Sequence, residues 1–190
     1  IWQQPHLIHL AELVYRATKD EAVLKNYYDL VMKTAEFMYS FATYDEANDR
    51  YILKGIIAAQ ETLRASENVN PPMELSSWHY GLSTAQLWRE RMGEPRVAEW
   101  DTLLAKLSPL AKDAEGKLYL ASEDATDSYT NIRFISDHPA VTGALGMYPE
   151  SRLLDKEIMN NTIDKIFEVW NWDETWGWDY PMIAMCAARV

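Results

Sequence analysis

The 190-residue chain sets 18 Lys+Arg against 29 Asp+Glu, and the resulting formal net charge of −11 repels nucleic acid and anionic membrane surfaces, so neither is expected as a partner. Its 48% hydrophobic and 25% charged content is that of one ordinary globular unit, and no stretch approaches the roughly 20 apolar residues of a membrane span. The one cysteine, Cys186, excludes an internal disulfide and sits in an apolar run where a buried, inert thiol is expected. No basic-then-apolar leader is present. The chain opens at Ile1 without Met and closes at Arg189-Val190 inside a helical pattern, which fits an excised piece of a larger protein, residues 1–190 forming one partial domain.

Helical periodicity begins after Pro5, where Leu7, Leu10, Leu13 and Val14 mark one face of a helix to about Ala17. His6, His9 and Glu12 share a neighbouring stripe, but a third strong ligand and any cysteine companion are missing, so a metal is not expected. Asp20 is the predicted cap of a second helix, carried by Leu24, Tyr28, Val31, Ala35, Met38 and Phe41. From Tyr44 to Val69 the pattern fails. Residues 45–50 read as a solvated turn, and Tyr51-Ile52-Leu53 with Ile56-Ile57 as short strand pieces around Gly55. A connection of this length inside a domain is uncommon unless it carries function, which makes Glu61 a candidate site residue.

The next helix opens at Met73 behind Asn70-Pro71-Pro72, runs to Met92, and yields at Gly93 to another starting at Pro95. After an irregular stretch over 108–136, in which Leu118-Tyr119-Leu120 is strand-like, Asp137-His138-Pro139 is the expected N-cap of a helix from Ala140 to Met147. A helix over 151–170 follows, with Leu154, Ile158, Ile163, Ile166, Phe167 and Trp170 inward, and Pro181 begins the last one. The order is helix pairs separated by long loops, an all-α class of antiparallel hairpins whose loops gather on one face if the pairs pack side by side.

Two stretches carry candidate chemistry. Glu74 lies in the first turn of its helix, where the dipole favours the carboxylate while burial against Trp78 and Tyr80 would raise its pKa; the two environments predict opposite states. The other stretch is Trp170-Asn171-Trp172-Asp173-Glu174-Thr175-Trp176-Gly177-Trp178-Asp179-Tyr180-Pro181, a loop far richer in Trp than loops usually are. Sugars suit such a surface, stacking C–H faces on indoles while carboxylates and imidazoles bond their hydroxyls. About half of these indoles are expected instead to plug the core.

Three blocks, Asn70-Pro71-Pro72-Met73-Glu74-Leu75-Ser76-Ser77-Trp78, Ser136-Asp137-His138-Pro139 with Gly146-Met147-Tyr148-Pro149, and Thr175-Trp176-Gly177-Trp178-Asp179-Tyr180-Pro181-Met182, resemble the (α/α)6-toroid, or six-hairpin, glycoside hydrolases found especially in gut and soil Bacteroidetes. The resemblance covers most of the chain from Gln4-Pro5-His6 onward. It implies six inner and six outer helices with an active site in a bowl of loops, and a periplasmic or secreted location. For Glu74 it implies the general acid, and for Asp179 a bowl-facing carboxylate that is either a sugar-hydroxyl ligand or the base. Twelve helices need well over this length, so the roughly seven counted here correspond to about half a toroid.

Inverting hydrolysis needs a raised-pKa acid and a base roughly 6.5 to 9.5 Å away with water between them. Glu74 is cast as acid and Asp179 as base, with Trp78, Trp176 and Trp178 as stacking walls and His79, Asp137, His138 and Glu61 as further substrate-binding residues. A carbohydrate substrate is the expected partner, and no cofactor is expected. The rivals are a phosphorylase, in which phosphate replaces the base and water, a non-catalytic carbohydrate binder, and a helical-repeat interaction module. Apolar surfaces left bare on a partial toroid would favour association of copies.

Overall fold

The computed structural model describes residues 3–190, and those residues form seven α-helices and one two-stranded sheet; at 52% helix the chain is mainly α. Contacts divide it into two compact units, residues 3–52 with 78–107 and residues 53–77 with 108–190. Helix α3 (Pro72–Arg91) contributes residues 72–77 to the second and 78–91 to the first.

In the first unit, α1 (Gln4–Thr18) ends where Lys19 turns left-handed, with φ 55°, and its N–H bonds the Tyr15 carbonyl. Asp20 then caps α2 (Glu21–Phe41), its Oδ1 accepting the Ala22 N–H at 2.8 Å, as its side chain and position predict. The two helices pack through Ile8, Ala11, Leu24, Val31 and Ala35. A hairpin follows, β1 (Thr43–Asp45) antiparallel to β2 (Arg50–Ile52), with Tyr44 opposite Tyr51. The strand expected at 51–53 therefore exists, but its partner is 43–45 and not Ile56-Ile57. The 45–50 turn joins the two strands directly, leaving the residues around Gly55 for a loop.

Along α3, Trp78, Leu82, Ala85 and Trp88 are all fully buried, and the Trp78 indole N–H donates to the Met38 carbonyl at 2.9 Å. The chain approaches Gly81 so closely that a Cβ there would lie 2.8 Å from Met38 Cε. Gly93, at φ 76°, stops the helix, and the Glu94 N–H reaches back to the Arg89 carbonyl. The following helix, α4 (Ala98–Lys106), starts beyond Pro95. Gln86 decides this: its side chain accepts the Val97 N–H and donates to the Val97 carbonyl and to Asp101, holding Val97 extended ahead of the helix. Glu12 of α1 is buried in this unit and takes Arg91 on both oxygens (2.6 and 3.2 Å), the Arg16 Nε (2.7 Å) and the Trp88 indole N–H (2.7 Å).

The second unit has longer loops. Asn70, in a left-handed conformation (φ 55°), ties the start of α3 down: its backbone N–H donates to the Leu53 carbonyl, its Oδ1 accepts the Leu53 N–H, and its Nδ2 donates to Ser108 and Glu123. Pro72, the first residue of α3, needs no hydrogen bond of its own there. Residues 118–120 make a single bridge, Lys112 to Tyr119, rather than a strand. The helix expected over 140–147 is a 3-10 turn (Ala140–Thr142) continuing into the short α5 (Gly143–Gly146). Asp137 is not its cap: at φ 68° its side chain turns away to the amides of residues 61 and 62.

Helix α6 (Lys156–Val169) begins later than the expected 151, because extended Asp155 caps it through the N–H groups of Glu157 and Ile158. Phe167 is 58% exposed and not inward as its spacing suggests. The last helix, α7 (Asp179–Ala187), starts two residues before Pro181. It crosses α5 without room for a side chain: a Cβ on Gly146 would lie 2.3 Å from the Met182 carbonyl oxygen, and one on Gly143 would lie 3.1 Å from Met182 Sδ.

Candidate active site

All but two of the candidate site residues fall in the loop-rich second unit. Glu74 is 1% exposed in the first turn of α3. Its Oε1 accepts the Ala59 N–H at 2.8 Å, while Oε2, like the nearby Ser76 hydroxyl, meets no hydrogen-bond partner among the described residues. Burial pushes the carboxyl up to about 7, outweighing the N–H groups of Ala59 and of Glu74 itself. Of the two environments posed by the sequence, burial prevails over the helix dipole.

Residues 59–62 tie this region together through hydrogen bonds. Ala59 serves Glu74, the Gln60 side chain donates to the Phe134 carbonyl at 3.0 Å, and the Glu61 and Thr62 amides both donate to Asp137 Oδ2 at 2.5 and 3.3 Å. The exposed Glu61 thus enters the network through its amide rather than its carboxylate. Neither Ala59 nor Gln60 was a candidate. The length of the 44–69 connection is the signal that points to their segment.

His138, 4% exposed, sits between two carboxylates. Its Nδ1 lies 3.0 and 3.1 Å from the Asp179 oxygens, and its Nε2 lies 3.4 Å from Asp137 Oδ1. The indoles of Trp178 and Trp176 lie against the ring, with centroids 4.3 and 5.7 Å away. Asp179 is fully buried at the start of α7 and also accepts the Trp176 N–H at 2.9 Å. Burial raises its pKa, with the Asp137 charge adding to the rise, against the opposing effects of the Trp176 amide and His138.

The acidic turn and the tryptophan segment meet through apolar contact as well. Half-buried Trp178 packs, with Met147, on the cluster of Ala59, Met73 and Ala140, so the residues beside Glu74 and beside Asp179 share one patch. Trp176 leaves 56% of its surface open. Trp170, at the start of the loop, is a core residue whose N–H donates to the Asp137 carbonyl.

Trp78 and His79 belong to the other unit. Trp78 is a correction: its indole is sealed beside Phe41 and its N–H is held by Met38, so it offers no face for stacking. It follows Glu74 by one helical turn, but the two fall in different units and the indole is a packing residue. His79 is half-buried. No helix among the described residues is long and apolar enough to cross a membrane, and no cluster among them could hold a metal ion. No family model matches the chain, nor does any curated protein.

Proposed function

We propose that this chain forms part of the catalytic domain of a glycoside hydrolase of the six-hairpin kind, acting on oligo- or polysaccharides by general acid and base catalysis with inversion. The observation that carries this reading is the Glu74 carboxyl, pushed up to about 7 with one oxygen unpartnered. A group of that kind holds a proton near neutrality, as a general acid for a glycosidic oxygen must. Asp179 is the proposed base, in the same unit and beside an open indole, Trp176, on which a sugar can stack. Seven helices are fewer than the twelve of a whole toroid, so the chain is read as part of one.

Glu74 is closed to solvent as it stands, and it meets a glycosidic oxygen only when its cover shifts. Closure of this kind excludes water from competing at the acid. It also favours a second reading, a carbohydrate binder that stacks sugars on Trp176 and hydrolyses nothing.

Glu74→Gln decides between them. In the protein that carries this chain, assayed on a panel of oligosaccharides and aryl glycosides, the substitution should lower turnover by about 10² to 10⁴. Near-normal turnover would remove Glu74 from the acid role. Sugar binding unaccompanied by turnover in the unsubstituted protein would support the binder.

A further inference from the structure

We propose that His138 is the positioning residue of this site, holding the Asp179 carboxylate in one orientation rather than serving as a ligand for sugar hydroxyls. The chemical part of this inference rests on the hydrolase reading; the structural part does not.

The imidazole has nothing to offer a ligand. Both nitrogens face carboxylates, Nδ1 the two Asp179 oxygens at 3.0 and 3.1 Å and Nε2 the Asp137 Oδ1 at 3.4 Å. Trp178 and Trp176 lie against the ring, and 4% of the residue is exposed. What the ring can do is transmit position. Asp137 is anchored from its other oxygen by the Glu61 and Thr62 amides, in a left-handed backbone geometry that Asp tolerates better than most residues. Asp137, 3.4 Å from Nε2, thus places His138 beside the 59–62 segment that also holds Glu74.

At the far end, Asp179 takes the Trp176 N–H on Oδ2, so the carboxylate, the open indole and the imidazole form one connected wall. A buried group whose orientation is set by a hydrogen-bonded neighbour loses function when that neighbour is removed, even though the neighbour touches no substrate. The charged groups facing Asp179 are His138 and, beyond it, Asp137, and they act in opposite directions on its titration. Without His138, the buried Asp179 and the partly buried Asp137 are left with no imidazole between them.

The test follows the Asp179 carboxyl by carbon-13 NMR through a pH titration, in the wild type and in three variants. His138→Phe keeps the ring and loses both nitrogens. His138→Asn keeps a donor where Nδ1 stands, and His138→Gln keeps one where Nε2 stands. Asp179 should titrate at higher pH in the Phe and Gln variants, with Asn returning it toward the wild type. On any glycoside the wild type cleaves, kcat should fall roughly tenfold or more in the Phe and Gln variants with KM little changed. If Phe does not fold, the Asn and Gln pair carries the comparison.

An unmoved Asp179 titration in a folded Phe or Gln variant overturns the proposal, as does an unaltered kcat where the titration moves. A wild type that cleaves no glycoside, while its variants still move the Asp179 titration, sinks the hydrolase reading and leaves the positioning role standing.

Discussion

Glu12 and Glu74 are both sealed from water, one in each unit, yet their carboxyls are pushed in opposite directions. Burial alone raises a carboxyl pKa in either place, because a charge is costly in a low-dielectric interior. At Glu12 this is overcome by hydrogen bonds from Arg91, Arg16 and Trp88, and the group is held below the usual carboxylate range. At Glu74 the Ala59 amide and the residue's own N–H do not offset burial, and the group rises to about 7. The number and charge of the partners separates a structural carboxylate from one suited to proton transfer; depth does not.

The strongest way to break this comparison is to remove Glu12. Glu12→Ala leaves Arg16 and Arg91 facing each other and the Trp88 N–H unpaired, and since both arginines are partly exposed the loss should be about 3 kcal/mol, the lower end for a broken buried pair. Urea unfolding at pH 7 measures it, and a loss near zero would mean that the network contributes nothing net.

An effect of similar size and opposite sign is expected at Glu74. Its folded pKa lies above its unfolded value of about 4.5, so the stability it contributes is complete below pH 4.5 and is lost as pH rises toward 7. Glu74→Gln should therefore match the wild type near pH 4.5 and exceed it by about 3 kcal/mol at pH 8, a gain in stability alongside the loss of turnover proposed for it. Glu12 acts the other way: its contribution is present above about pH 4.5 and falls away in more acid solution. Unfolding curves at several pH values, with and without each substitution, separate the two.

The smallest change sharpens the contrast with an exposed carboxylate. Asp20→Ala removes one cap from the start of α2 and should cost about 1 kcal/mol by thermal unfolding.

What could be read from the sequence follows the same division. Helices α1, α2 and α3 were legible because apolar spacing, a proline start and an Asp cap all agree, and the buried stripes match on two of them: Leu24, Val31 and Met38 on α2, Leu75, Trp78, Leu82 and Trp88 on α3; on α1 the face marked by Leu7, Leu10, Leu13 and Val14 is exposed, and Ile8 and Ala11 are buried instead. Boundaries failed where a side chain elsewhere decided them. Gln86 delays α4 and Asp155 delays α6, while Asp137 turns from the helix it precedes because the 61–62 amides outbid it there.

In the candidate site, the acidic turn and the Trp-rich loop were legible as unusual compositions, and both belong to the loop-rich unit. That Trp78 would go to the core while Trp176 stays open was not legible, since both are indoles one step from a carboxylate-bearing turn and only packing separates them. The contribution of Ala59, made by a backbone amide, leaves no mark on side-chain identity at all.

The crossing of α5 and α7 bears on all of this. At Gly146 the obstacle is the main chain of Met182 itself, which no rotamer change can move aside. Met182 is one turn beyond Asp179, so a methyl group at 146 would tilt the start of α7 and swing that carboxylate away from His138. A position with no functional group of its own therefore bears on where the proposed base stands, and even alanine there should impair the site while all its side chains remain present.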